Sequence, residues 1–192
     1  MSAARLAAGA ALGVFLLGLG VAVARGLGEG EATVTPVLRP VTTTAAKPKP
    51  PRAAPFVRLQ AVGALDPEGD GRENDDLAPL AVDGDQATAW ETERYTSFFK
   101  TGVGLVLTPG RAVRLEQVIV TTGTPGYTAE LRAGGAAEGP FTTVAPARVV
   151  TARTVFAVPK RTARYVVVWI TELPDGGAAA VAEVRARARP AG

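Results

Sequence analysis

The chain contains no cysteine and no histidine. The first absence rules out disulfides and thiolate metal sites. The second removes the usual general base, the commonest transition-metal ligand and every Ser-His triad. Serine is confined to Ser2 and Ser97 and asparagine to Asn74, and there are four lysines against 17 arginines. Enzyme chemistry would have to run on carboxylates or on a bound metal. A glycosidase needs two acids facing a cleft about 5–9 Å apart, and no pair in the sequence suggests one. The expectation is a protein that is not an enzyme. A basic body is also missing. Residues 1–55 carry six Lys/Arg and two Asp/Glu, whereas residues 56–192 carry 15 and 16. A nucleic-acid partner needs its basic face on the domain itself, so none is expected.

Leu6 to Ala24 is a run of 19 residues without a charge, bracketed by Arg5 and Arg25. As a helix it would measure roughly 28 Å, close to the thickness of a bilayer core. Residues 1–25 therefore read either as a transmembrane anchor or as a signal peptide, since Ala22-Val23-Ala24 fits the small-x-small cleavage pattern. Both place the rest of the chain on the extracytoplasmic side, as a single-pass protein of the cell membrane or a secreted one. Residues 26–55 read as a disordered Pro/Thr-rich linker, with Thr42-Thr43-Thr44 and Lys47-Pro-Lys-Pro-Pro51. Proline at this density favours an extended, semi-rigid spacer.

From Phe56 onward short extended segments alternate with turns. Val57, Leu59 and Ala61 form one alternating set; Val103, Leu105 and Leu107 form the next, before Pro109-Gly110. Val113–Thr122 is rich in β-branched residues. Tyr127, Ala129 and Leu131 alternate with polar neighbours, and Phe141–Val144 and Val155–Val158 are shorter candidates. Tyr165–Ile170 is a continuous apolar run, the mark of a strand buried on both faces. Val184, Ala186 and Ala188 alternate with Arg185, Arg187 and Arg189. No stretch shows a sustained helical period. Seven to nine short strands with Gly/Pro turns predict an all-β domain over 56–189, an antiparallel jelly-roll sandwich.

The segment Ala81-Val-Asp-Gly-Asp-Gln-Ala-Thr-Ala-Trp90 organises this pattern. Asp83-Gly84 is a strong turn signal. The turn gathers the Asp83 carboxylate, backbone carbonyls and the Thr88 hydroxyl, all hard oxygen donors of the kind Ca²⁺ takes. Trp90 supplies an apolar anchor.

Together with the late strand at Tyr165–Ile170 and the final Ala182-Glu183-Val184, this segment resembles the discoidin, or galactose-binding-like, domain (the coagulation factor 5/8 type C fold). More narrowly, Leu65-Asp-Pro-Glu-Gly-Asp-Gly71, the Asp83-Gly84-Asp85 segment and Lys100–Leu107 resemble an extracytoplasmic C-terminal domain of MviN/MurJ-like lipid II flippase homologues. The same domain occurs in kinase-like membrane proteins of high-GC Gram-positive bacteria. The discoidin resemblance implies a structural Ca²⁺. Its ligands would be the side chains of Asp83 and Thr88, carbonyls of Leu80, Asp85 and Thr88, and Ala182 and Glu183 from the far end of the chain. The plain reading is that Asp83 caps its own turn and Glu183 pairs with Arg185 or a neighbour.

A second acidic loop begins Asp66-Pro-Glu-Gly-Asp-Gly71. Asp66, Glu68 and Asp70 match the start of an EF-hand-like loop, but Leu77 stands where the bidentate acid belongs. The alternatives are a second cation site and a solvated acidic turn. Residues 66–93 hold ten acids against Arg72 alone.

The ligand-surface candidate is Arg94, Tyr95, Phe98, Phe99 and Lys100. Exposed aromatics between cations suit a sugar ring or an interface. The alternative is that two of the three aromatics plug the end of the barrel. Trp90 and Trp169 read as core, and the arginine stripe on the last strand as a solvated face. The function expected is a non-catalytic, membrane-tethered extracytoplasmic binding module for a cell-envelope glycan or lipid-linked cell-wall precursor. The alternative is a domain that docks on a partner membrane protein without taking a small ligand.

Overall fold

The computed structural model describes residues 52–192. The anchor or signal helix expected at 1–25, and the linker up to residue 51, lie outside the described residues. Among the described residues no helix is long and apolar enough to cross a membrane.

Among the described residues, eleven strands and one 3₁₀ helix follow one another. They are β1 Phe56–Val57, β2 Gln60–Leu65, the 3₁₀ helix Asp75–Val82, β3 Trp90–Glu91, β4 Val103–Thr108 and β5 Val113–Thr121. After these come β6 Thr128–Gly134, β7 Thr142–Val149, β8 Arg153–Ala163, β9 Tyr165–Glu172, β10 Ala180–Val181 and β11 Glu183–Pro190. Two antiparallel sheets result, one ordered β1-β11-β5-β8 and the other β2-β4-β9-β6-β7, with β3 and β10 forming a short separate ladder. The first and last strands are neighbours, with Phe56 opposite Arg187. This is the expected all-β sandwich.

The core lies between the sheets. Leu105, Leu107, Leu131, Val168 and Ile170 face Leu115, Val118, Phe156, Val184 and Ala186, and all are essentially inaccessible. Burying side chains of this size stabilises by roughly 1.5–3 kcal/mol each. Trp90 is fully buried, as expected, and its indole N–H donates to the Glu73 carbonyl at 2.8 Å.

β9 is buried on both faces, as its continuous apolar run predicts. Its outer side chains Val167 and Trp169 join Val106 in a second small cluster, covered by Leu65, Phe141 and Tyr165. The same cover corrects the reading of β4, whose alternation predicts one wet face. β4 is dry on both sides. Gly104 makes room for Trp169, since a Cβ there would meet the indole Cε3 at 2.7 Å.

Two further corrections concern the start of the domain. The set Val57–Ala61 is not one strand. β1 joins β11 in one sheet, and β2 joins β4 in the other, so the chain changes sheets at Arg58-Leu59. The 3₁₀ helix at Asp75–Val82 has no counterpart in the sequence reading. It buries only Ala78 and Ala81 and contains Pro79, too little periodic apolar surface to register as a helix. The strand count exceeds seven to nine because β1, β3 and β10 are two-residue bridges.

Candidate functional site

One end of the sandwich is built from four connections: 66–74, 92–102, 122–127 and 173–179. Backbone bonds stitch them together. Thr92 N–H donates to Ala179 O at 2.9 Å and Tyr95 N–H to Gly177 O at 2.7 Å. Thr122 Oγ1 donates to Ala180 O at 2.6 Å, and Ala180 N–H to Thr124 Oγ1 at 2.8 Å.

Beneath these loops runs a polar chain that no local pattern predicts. Asp66 and Glu73 are buried, at 2% and 0% exposed. Lys100 Nζ is ion-paired with Asp66 Oδ2 and donates to Tyr95 Oη at 3.0 Å. Tyr95 Oη in turn donates to Glu73 Oε2 at 2.6 Å, and Glu93 N–H donates to Glu73 Oε1 at 2.6 Å. Asp66 Oδ1 is buried without a hydrogen-bond partner among the described residues. Burial, reinforced by the bond to Glu73, holds the Tyr95 hydroxyl well above the usual phenol range. Burial pulls Lys100 down, but its bonds to Asp66 and Tyr95 outweigh that and hold the ammonium charged. Burial also raises the Glu73 carboxyl, against the hydrogen bonds from Tyr95 and Glu93.

The five residues of the ligand-surface candidate therefore separate. Tyr95 and Lys100 are structural, locked in the buried chain. Phe98 packs edge-on against Tyr95, with ring centroids 5.2 Å apart, and both lie against the core. Arg94 Nη1 donates to the Gly176 carbonyl and fixes the opposite loop. Phe99 alone of the aromatics projects into solvent, at 92% exposed. The plug alternative thus describes Tyr95 and Phe98, and Phe99 is the one of the three left facing solvent.

A groove of about 400 Å³ lies between Tyr95–Phe98 on one side and Thr171–Gly177 on the other. A second, of about 290 Å³, opens between Arg94, Pro125 and Gly176. The wall at Thr171–Gly177 was missed from sequence, although Pro174-Asp175-Gly176-Gly177 is a strong turn signal. Gly177 sits at φ 70°, and a side chain there would collide with the Tyr95 carbonyl.

The Asp83-Gly84-Asp85 turn closes as expected. Asp85 N–H donates to Asp83 Oδ1 at 2.8 Å; Thr88 Oγ1 donates to Asp83 Oδ2 at 2.8 Å and to the Asp85 carbonyl at 3.0 Å. These bonds hold the Asp83 carboxyl below its usual range. From 99 residues away, Glu183 Oε2 accepts the Gly84 N–H at 3.0 Å. Burial raises the Glu183 carboxyl, and the nearby Asp83 charge adds to this. Asp83, Asp85, Thr88 and Glu183 are thus brought together, with Ala182 beside Glu183 and Leu80 in the preceding 3₁₀ helix. Two carboxylates, a hydroxyl and carbonyls form an all-oxygen donor set, which fits a hard cation. Among the described residues no three acids cluster into a metal site, so carbonyls would have to complete the coordination.

The second acidic loop does not gather a ligand set. Asp66 is taken by Lys100, Glu68 Oε1 accepts from Thr101 N–H at 2.9 Å, and Asp70 Oδ1 accepts from Arg72 N–H at 2.9 Å. The three carboxylates serve three different partners, because Asp66 and Glu68 pin the loop to the 92–102 connection while Asp70 closes its own turn.

No family model matches the chain. Solved structures do resemble it. The C-terminal domain of a chitobiase from Bacteroides fragilis aligns at 16% identity and a TM-score of 0.53, over 70% of this chain and 96% of that one. Carbohydrate-binding module 32-3 of a family 31 glycoside hydrolase from Clostridium perfringens aligns at 18% identity and 0.53, over 69% and 92%. A family 32 carbohydrate-binding module from Clostridium perfringens, in complex with galactose, aligns at 20% identity and 0.51, over 68% and 96%. At these identities the likeness establishes the fold alone: the described domain is an antiparallel jelly-roll sandwich like that of these modules.

Proposed function

We propose that this protein is a non-catalytic glycan-binding module that takes its ligand at the loop end of the sandwich. The observation that carries the reading is the 92% exposed Phe99, which directly follows the Tyr95–Phe98 wall of the 400 Å³ groove. A free aromatic face stacks on a sugar ring, and Thr96, Ser97 and Asp175 along the groove offer hydroxyls and a carboxylate to sugar hydroxyls. The structural likeness to carbohydrate-binding modules, one of them bound to galactose, supports the same reading. The large exposed apolar side chains Phe56, Val62, Phe99 and Val149 lie on separate elements, which weighs against a flat protein-docking patch.

The finer reading keeps the resemblance to flippase-associated domains. The ligand is a cell-envelope glycan or lipid-linked cell-wall precursor, and the apolar run Leu6–Ala24 tethers the module outside the membrane. A screen of the full chain against peptidoglycan, arabinogalactan-type glycans and lipid II tests it. Saturable binding that Phe99→Ala abolishes without loss of folding is the expected result. Failure to bind any envelope glycan would overturn the reading and favour a membrane-protein partner, sought by co-purification.

The cation belongs to the same proposal. Ca²⁺ held by the Asp83 and Glu183 carboxylates, with Thr88 and the carbonyls of Leu80, Asp85, Thr88 and Ala182, would tie the turn to β11. It would also relieve the Asp83 repulsion that adds to burial in raising the Glu183 carboxyl. Calcium is expected to raise the melting temperature over that in chelator, and Asp83→Ala to remove the difference. Equal melting of the wild type in both would refute the site.

A further inference from the structure

The two sheets differ in charge. The strands β1, β5, β8 and β11 carry seven Lys/Arg against Glu116 and Glu183, whereas the five-stranded sheet carries two residues of each sign. On β11 the two-residue period sends Val184, Ala186 and Ala188 into the core and leaves Arg185, Arg187 and Arg189 on the outer face, about 6.8 Å apart. Arg114 on β5 pairs with Arg189, and Arg153 on β8 extends the row that passes through Thr121 to Glu183.

The guanidiniums of β11 are held in place. Those of Arg185 and Arg187 lie 3.8 and 3.9 Å from the ring centroid of Phe56, too close to share one side, so they clamp the ring between them. Arg187 Nη1 also donates to Ala54 O at 2.7 Å, and Arg189 Nε to Glu116 Oε1 at 2.7 Å. Arg185, Arg114 and Arg153 are exposed and make no side-chain hydrogen bond among the described residues. Beside Phe56 a groove of about 390 Å³ opens between Arg58 and Arg185, with Asp83 and Glu183 at its loop end.

We propose that this face docks a linear acidic polysaccharide. The chain lies along β11 with its carboxylates on Arg185 and Arg187, flanked by Arg114 and Arg153. A fixed guanidinium fork matches a carboxylate at two points, and a row of them at strand spacing matches a polymer better than a single anion. Charge decides which end of the molecule such a polymer meets. The loop end, whose four connections carry six acids against Arg72, Arg94 and Lys100, repels it, and the arginine face attracts it. Single-stranded nucleic acid needs a free aromatic face for its bases, and both faces of Phe56 are taken. A membrane surface needs apolar side chains to insert, and Phe56, 38% exposed and clamped, is the sole large one on this face among the described residues. The inference is independent of the loop-end glycan site.

The test measures binding of the full chain to polygalacturonate at low and at raised salt. Saturable binding that weakens with salt is expected. The double variant Arg185→Ser with Arg153→Ser should weaken it about ten-fold or more at unchanged melting temperature. Arg114→Ser gives a second reading should the double variant fold poorly. Arg72→Ser removes one charge from the loop end, as Arg114→Ser does from the arginine face, and should not weaken binding. Absence of saturable binding, or an equal loss with Arg72→Ser, overturns the proposal. Tighter binding to phosphatidylglycerol vesicles or to single-stranded DNA than to polygalacturonate overturns it as well, by identifying a different occupant.

Discussion

Tyr95 shows how far a residue's role depends on what lies beneath it. Between Arg94 and Phe99 it reads as a contact for a ligand, yet its hydroxyl bridges Glu73 and Lys100 inside the loop end. Tyr95→Phe would leave Glu73 Oε2 without its donor, a loss of about 1–3 kcal/mol. Chemical denaturation of the two proteins checks it; equal midpoints would show that the bridge contributes nothing. Gly177 is the matching residue across the groove. A methyl there needs an unfavourable backbone at φ 70° and collides with the Tyr95 carbonyl. Gly177→Ala is therefore expected to cost about 1–3 kcal/mol and to abolish glycan binding, measured by melting and by the glycan screen. Retained stability and binding would mean that the Thr171–Gly177 wall is not part of the site.

At the scale of elements, burial on one or both faces decides the cost of a change. Leu131 on β6 is fully buried between the sheets, so Leu131→Ala should destabilise by about 2–5 kcal/mol. Val149, at the end of β7, is 59% exposed, and Val149→Ala should stay within about 0.5 kcal/mol. Urea midpoints at constant slope test the pair, and a comparable loss at both positions would contradict the placement of the core. The strands with strong period-two or continuous apolar patterns, β5, β6, β9 and β11, were legible because burial writes that pattern directly. The short β3 and β10, two residues each, and the 3₁₀ helix were not. Their positions follow from Trp90 inserting beside Glu73 and from Thr92 and Ala179 pairing across 87 residues.

For the whole molecule, titration adds opposing terms. Burial raises the Glu73 carboxyl above its ordinary 4.5. Its contribution is therefore full below that value and lost as pH rises through the folded value. Asp83, lowered from 3.8 by hydrogen bonds to its own turn, contributes above that value and loses it as pH falls. Glu73→Gln removes only the first effect. From pH 4.5 upward the wild type should lose stability relative to this variant, as denaturation across a pH series would measure; parallel profiles would show that Glu73 does not titrate with folding.

The sequence alone determined the sandwich, the Asp83-Gly84-Asp85 turn, the double-sided burial of β9 and the outward arginines of β11. Each is set by local periodicity or by a turn that a few adjacent residues dictate. Tertiary structure alone decided that Glu183 reaches Gly84 and that Asp66 and Glu73 are buried partners of Lys100 and Tyr95. It also decided that Phe99 rather than Tyr95 faces solvent. Those outcomes join residues far apart in the chain, and no local pattern records which distant side chain will supply the hydrogen bond that makes a buried charge tolerable.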